Sequence, residues 1–107
     1  MKYRIEFTDT AKSDLRNIAI YVAEQSKDSE TAKKFVKELS EQCLPLETFP
    51  QMGATPKDRI LVSYGYRFLV YKEYLIFYSV DEPTEKVYIQ AMFNAKRDYT
   101  RVLKKIT

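Results

Sequence analysis

Residues 66–80 read YRFLVYKEYLIFYSV, and this stretch decides the fold. Tyr66 to Tyr71 is rich in aromatic and branched aliphatic side chains, the composition of a strand, and Tyr74 to Val80 has the same character. Only Lys72-Glu73 separates them, so the two strands are predicted to form a hairpin with a tight turn. Downstream, Asp81-Glu82-Pro83-Thr84 is a turn signal, and Val87 to Met92 reads as a third strand. Immediately upstream, residues 51–63 hold Gly53, Pro56 and the alternating charges Lys57-Asp58-Arg59, which predict an irregular connection.

Nearer the N-terminus the hydrophobic period changes. Residues 2–8 alternate strictly, with Tyr3, Ile5 and Phe7 on one face and Lys2, Arg4 and Glu6 on the other, as in a half-buried strand. Ala11, Leu15, Ile18 and Val22 then make one stripe of a helix, with Thr8 or Thr10 as its cap and Asp9 at the positive end of its dipole. A polar break at residues 25–29 precedes a second helical stripe, Ala32, Phe35, Val36, Leu39 and Cys43, with Asp28 or Ser29 as cap. Pro45, which lacks an amide hydrogen, should kink or end that helix, and Pro50 marks a loop. Tyr99, Val102, Leu103 and Ile106 return to helical spacing in a basic C-terminal stretch.

The predicted order is therefore β-α-α-β-β-β-α: an α+β domain spanning residues 1–107, with an N-terminal helical hairpin packed on a mainly antiparallel four-stranded sheet and a short basic C-terminal helix. At 107 residues and 45% hydrophobic composition, one core suffices. No repeat, low-complexity tract or internal linker interrupts it.

Composition narrows the chemistry. There is no histidine, which removes Ser–His and Cys–His nucleophilic pairs and the common His-based zinc sites. The single cysteine, Cys43, precludes an internal disulfide and reads as an inert core thiol. Neither Gly53 nor Gly65 opens a glycine-rich phosphate cradle, so no metal or cofactor is expected. Without a signal-like apolar run at the N-terminus, or the ~18 apolar residues that span a bilayer, the expected compartment is the cytoplasm, with no membrane partner.

What remains is Arg, Lys and Tyr. From Phe93 to Thr107 there are five cations, Lys96, Arg97, Arg101, Lys104 and Lys105, against Asp98 alone; that segment carries +4 in a chain whose net charge is +3. Such a tail can meet nucleic acid, an acidic protein, or only water. Guanidinium groups bind phosphate through two donors, and tyrosine can stack on a base or move a proton. Arg67 at the start of the hairpin and the run Lys96-Arg97-Asp98-Tyr99 are the residues with that chemistry. The same residues could instead pair with carboxylates such as Asp98, with Tyr99 as a core anchor.

Several pieces, taken in order, resemble the RelE/ParE superfamily of toxins: Tyr3-x-Ile5-x-Phe7-Thr8 with Ala11 and Asp14-Leu15; Phe49-Pro50-x-x-Gly53; Gly65-Tyr66-Arg67; the strand Tyr74-Leu75-Ile76-Phe77-Tyr78 with Val80-Asp81; and Arg97-Asp98-Tyr99. The resemblance covers nearly the whole chain and implies the toxin of a bacterial type II toxin–antitoxin module, partnered by an antitoxin with a segment that folds on binding. RelE-like members cleave mRNA on the ribosome without a metal; ParE-like members poison DNA gyrase. A RelE-like reading would make Arg67, Arg97 and Tyr99 catalytic. A ParE-like reading makes Arg67, Lys96, Arg97, Arg101, Lys104 and Lys105 target-binding. A relic that only binds its antitoxin is the third possibility.

One departure favours the ParE-like reading. RelE-like chains usually carry a catalytic Arg second in the strand matching Tyr74-Leu75-Ile76-Phe77-Tyr78, and here Leu75 stands there. Leu69 likewise occupies a place where a second cation is expected. The register of the hairpin decides which face Leu75 takes, because a slip of one residue reverses every side chain.

Overall fold

The computed structural model of the protein describes residues 2–96. Its elements are β1 (Arg4–Phe7), α1 (Asp9–Ser26), α2 (Ser29–Glu41), a 3-10 turn (Leu44–Glu47), α3 (Arg59–Ser63), β2 (Tyr66–Tyr71), β3 (Tyr74–Asp81) and β4 (Lys86–Asn94). The helical hairpin and the four strands are those the sequence predicts. The short basic C-terminal helix lies outside the described residues.

Local chemistry explains the boundaries. Thr8 caps α1 by accepting the Ala11 N–H at 3.1 Å, and its hydroxyl donates to the Ile89 carbonyl at 3.0 Å, which ties the helix start to β4. Asp28 caps α2: the Thr31 hydroxyl and the Glu30 amide both donate to its carboxylate, and those two bonds hold the carboxyl below its ordinary range. The break between the helices is one left-handed residue, Lys27, at φ 56°. Helix α2 stops at Glu41, and Pro45 sits in the 3-10 turn that follows, where its missing N–H costs little.

One expectation is corrected. The segment 51–63 is not irregular throughout, because Arg59–Ser63 form α3. Asp58 caps it through the amides of Ile60 and Leu61, Leu61 is buried beneath it, and Gly65 at φ 76° ends it. A single capped turn with one apolar anchor shows too little periodicity to be seen in a sequence.

The sheet order is β1-β4-β3-β2, with β1 parallel to β4 and the other pairs antiparallel. In β4, Phe77 faces Ala91 while Tyr78 faces Ile89, so Gln90 is the extra residue of a bulge. The bulge resets the alternation and lets Ile89 and Met92, three residues apart, enter the same core. Beyond β1, the Met92 amide donates to the Asp14 carboxylate of α1 at 2.9 Å.

The sheet has two apolar faces. On the helical side, Ala11, Ile18, Leu39, Cys43 and Leu46 meet Ile76, Tyr78, Val87, Ile89 and Met92. On the outer side, Leu61, Tyr66, Phe77, Ala91 and Phe93 form a second cluster with Phe68 and Leu75 against it. Truncating a fully enclosed residue such as Leu39 to Ala is expected to cost about 2–5 kcal/mol.

Cys43 is 1% exposed, and burial pushes its thiol up to about 12. Only the thiolate is nucleophilic, so iodoacetamide should alkylate the native protein roughly a hundredfold or more slower than the urea-unfolded chain. Mass spectrometry over time checks this, and equal rates would place Cys43 outside the core.

Candidate functional site

The hairpin register separates residues that the sequence placed side by side. Arg67 pairs with Tyr78, and Leu69 with Ile76, on the helical face; Phe68 pairs with Phe77, and Val70 with Leu75, on the outer face. Arg67 and Leu75 therefore point to opposite sides of the sheet.

On the helical face, Tyr78 is fully buried, and its hydroxyl has two backbone partners. It donates to the Pro50 carbonyl at 2.8 Å and accepts the Gly53 N–H at 2.8 Å. Arg67 Nη1 donates to the Gly53 carbonyl at 2.9 Å. Burial raises the Tyr78 phenol above its ordinary value, with the Gly53 amide and the Arg67 guanidinium pulling the other way. A phenol held protonated in this manner is no general base at neutral pH. Together these bonds fasten the loop Phe49-Pro50-x-x-Gly53 to the sheet. Glycine is required at position 53, where an added Cβ would stand 2.5 Å from the Tyr78 oxygen and 2.9 Å from the Phe68 carbonyl. A neighbouring tie joins the same loop to the β3–β4 turn: Gln51 Nε2 donates to Glu82 at 2.8 Å, and the Tyr3 hydroxyl donates to the same carboxylate.

The outer face is chemically different. A cleft of about 240 Å³ opens there, lined by Thr55, Pro56, Lys57, Phe68, Leu75 and Phe77. Two of these residues belong to an aromatic ladder across three strands: Phe68 stacks on Phe77 with centroids 5.5 Å apart, and Phe77 on Phe93, behind the cleft, at 5.4 Å. Leu75 is part of this apolar wall.

Lys96 is placed at the far end of the hairpin, where it forms an exposed ion pair with Glu73 at 3.6 Å. Arg67 lies four ladder steps from that end, roughly 13 Å at strand rise, so the two are not brought together. Arg97, Tyr99, Arg101, Lys104 and Lys105 lie outside the described residues. Among the described residues no group of His, Cys, Asp and Glu is arranged to hold a metal ion, and no helix is long and apolar enough to cross a membrane.

The family model described as "ParE toxin of type II toxin-antitoxin system, parDE" matches residues 5–99. The chain belongs to the ParE toxin family. Solved structures of similar fold include the chromosomal ParDE system of P. aeruginosa, with a TM-score of 0.73 and 21% identity over 89% of this chain and 98% of that one. The toxin–antitoxin complex RelBE2 of Mycobacterium tuberculosis follows at 0.66 and 20% identity, covering 88% and 99%. A free E. coli RelE toxin gives 0.58 and 16%, covering 100% of both chains. At these identities the likeness is one of fold. Among curated proteins, a sequence search finds no match.

For this ParE-family chain, sequence reasoning found Arg67 but not its employment, and it missed the cleft and Lys57. The signal for the first was present in Phe49-Pro50-x-x-Gly53, whose glycine needs a close neighbour to explain it. Tyr78→Phe should lower the unfolding free energy by about 1–3 kcal/mol, since two buried backbone groups lose their partner. Gly53→Ala should cost about 1–3 kcal/mol through overpacking. A raised tyrosine contributes its stability in full below the ordinary value near 10, and that contribution fades as pH climbs through the folded value. Urea melts at about pH 8 and about pH 10.5 should therefore show a shallower alkaline loss in Tyr78→Phe than in the wild type.

Proposed function

We propose that the protein is the toxin of a type II toxin–antitoxin pair, that it arrests growth by binding DNA gyrase, and that a cognate antitoxin holds it in check. The observation that carries the protein-binding reading is the placement of Leu75 in an apolar wall with Phe68 and Phe77. Ribosome-dependent cleavage of mRNA needs cations converging on one phosphate, and a single well-placed charge is worth several kcal/mol in such a transition state. Here Arg67 is turned to the opposite face and engaged with Gly53, while the outer face offers hydrocarbon. Gyrase as the target rests on the resemblance to ParE-like toxins and on membership of the ParE family. ParDE of P. aeruginosa and RelBE2 of M. tuberculosis are themselves toxin–antitoxin assemblies, which supports an antitoxin partner.

In this reading the tail cations Arg97, Arg101, Lys104 and Lys105, with Lys96, steer the toxin to a target that is itself bound to DNA. The domain 1–107 acts as a unit in the cytoplasm and requires no cofactor.

Controlled expression in bacteria should slow growth, with restoration by the neighbouring reading frame. Purified protein should inhibit gyrase supercoiling and leave ribosome-bound message intact. Efficient message cleavage with normal supercoiling would reverse the assignment. Replacing Arg97 and Arg101 together by Ala should abolish toxicity while changing stability by under about 1 kcal/mol. A folded double variant of undiminished toxicity would remove the tail from the target contact.

A further inference from the structure

The outer cleft has a feature that target binding by a basic tail does not use: it is shaped for one side chain. Its volume, about 240 Å³, is below the roughly 300–1,000 Å³ of small-molecule sites, but accommodates a leucine or an aromatic ring. Its two phenylalanines are held in place, because Phe68 stacks on Phe77 and Phe77 on Phe93 of the next strand. One wall is stiff too, since Ala54 and Phe68 exchange both backbone hydrogen bonds at 2.9 Å just before Thr55. Preformed apolar pockets of this kind are where interface energy concentrates.

Charge specifies what enters. Lys57 lines the cleft, Arg59 is exposed two residues on, and neither forms an ion pair among the described residues. The carboxylate between them, Asp58, is committed to the Ile60 and Leu61 amides at the start of α3. The strand residues of the outer cluster, Tyr66, Phe68, Leu75, Phe77, Ala91 and Phe93, carry no ionised group, and of the charges further along this face Glu6 is paired with Lys86 at 3.4 Å. Beside the cleft, α3 and its cap expose Ile60 at 63% and Tyr64 at 57%, which extends the apolar surface. An occupant must therefore be apolar at its centre and acidic at its edge.

We propose that this cleft seats an anchor side chain, leucine or aromatic, from an acidic segment of the antitoxin, with an antitoxin carboxylate paired to Lys57. The inference rests on the toxin–antitoxin reading above and gives that partner its contact chemistry. The antitoxin is chosen over the toxin's target because a pocket for one side chain suits an extended segment laid along the sheet, and a segment that orders on binding needs a preformed anchor to offset its lost freedom.

The test uses the full chain and the purified product of the neighbouring frame, with affinity measured by calorimetry at two salt concentrations. Leu75→Lys should weaken binding by roughly thirtyfold or more, as loss of a buried anchor does. Lys57→Glu should weaken it by roughly tenfold and flatten its salt dependence. Leu75→Met, which keeps the wall apolar, should restore binding to within about threefold. Lys33→Glu on α2, on the other side of the sheet, should leave affinity within about twofold. Circular dichroism and thermal melts confirm that each variant is folded. A folded Leu75→Lys chain that binds the antitoxin as the wild type does overturns the inference. So does a variant that binds the antitoxin normally but no longer arrests growth, which would give the cleft to the target. Absence of binding by the wild type itself overturns both the inference and the reading beneath it, whereas wild-type binding with indifferent cleft variants overturns the inference alone.

Discussion

A phenol enclosed in an apolar core must have its hydroxyl satisfied, and much of this protein follows from how Tyr78 meets that need. The nearest backbone able to serve it is the loop after the 3-10 turn, so Pro50 and Gly53 are drawn in to 2.8 Å. Once Gly53 is there, its carbonyl faces Arg67, and the next residue is delivered to the edge of β2, where Ala54 pairs with Phe68. An exposed strand edge is thereby partly covered by the chain's own loop. The loop then crosses to the outer face, where Thr55, Pro56 and Lys57 become the wall of the cleft. The inner core and the outer surface are thus coupled through this loop, which the Tyr78 hydroxyl, Arg67 and the Phe68 backbone together hold.

The second organising device is the bulge at Gln90. Without it, the two-residue period of β4 would put Ile89 and Met92 on opposite faces. With it, Ile89 and Met92 both enter the helical-side core, while Ala91 and Phe93 supply the outer cluster. The bulge also falls where β1 ends, since Phe7 pairs with Ile89. Side chains of the first helix turns replace the missing strand there: Thr8 reaches the Ile89 carbonyl, and Asp14 receives the Met92 amide. Asp14-Leu15, one of the pieces behind the family resemblance, thus has a structural purpose as a substitute for ladder bonding.

Strands and long helices were legible because alternation and the 3.6-residue stripe are repeated signals. Tyr3, Ile5 and Phe7 do pack inward, as do Leu15, Ile18, Phe35 and Leu39. The hairpin was legible because only two residues separate its strands. Single events were not legible: α3 rests on one cap and one buried leucine, and the bulge on one extra residue. Arg67 shows the same limit at the level of function. Its residue type promises phosphate binding, but the partner that gives it a structural bond, the Gly53 carbonyl, lies 14 positions away in sequence. Leu75 was the more informative residue, since an apolar side chain can be read as the absence of a charge wherever it faces.

That asymmetry bears on how one fold serves different ends. A cation at position 75 would sit among Phe68, Phe77 and Pro56, where its desolvation would be repaid only by a phosphate arriving to meet it. Leucine removes that requirement and makes the same surface favourable to bury, at about 25 cal/mol for each Å² of apolar area taken from water. A surface that gains by burial favours lasting association over turnover, and its Phe68 and Phe77 are braced by stacking on each other and on Phe93. Charge is left to the rim, at Lys57 and Arg59, and to the tail beyond β4. In protein association generally, charge at a rim acts on how fast a partner approaches, and an apolar centre on how long it stays.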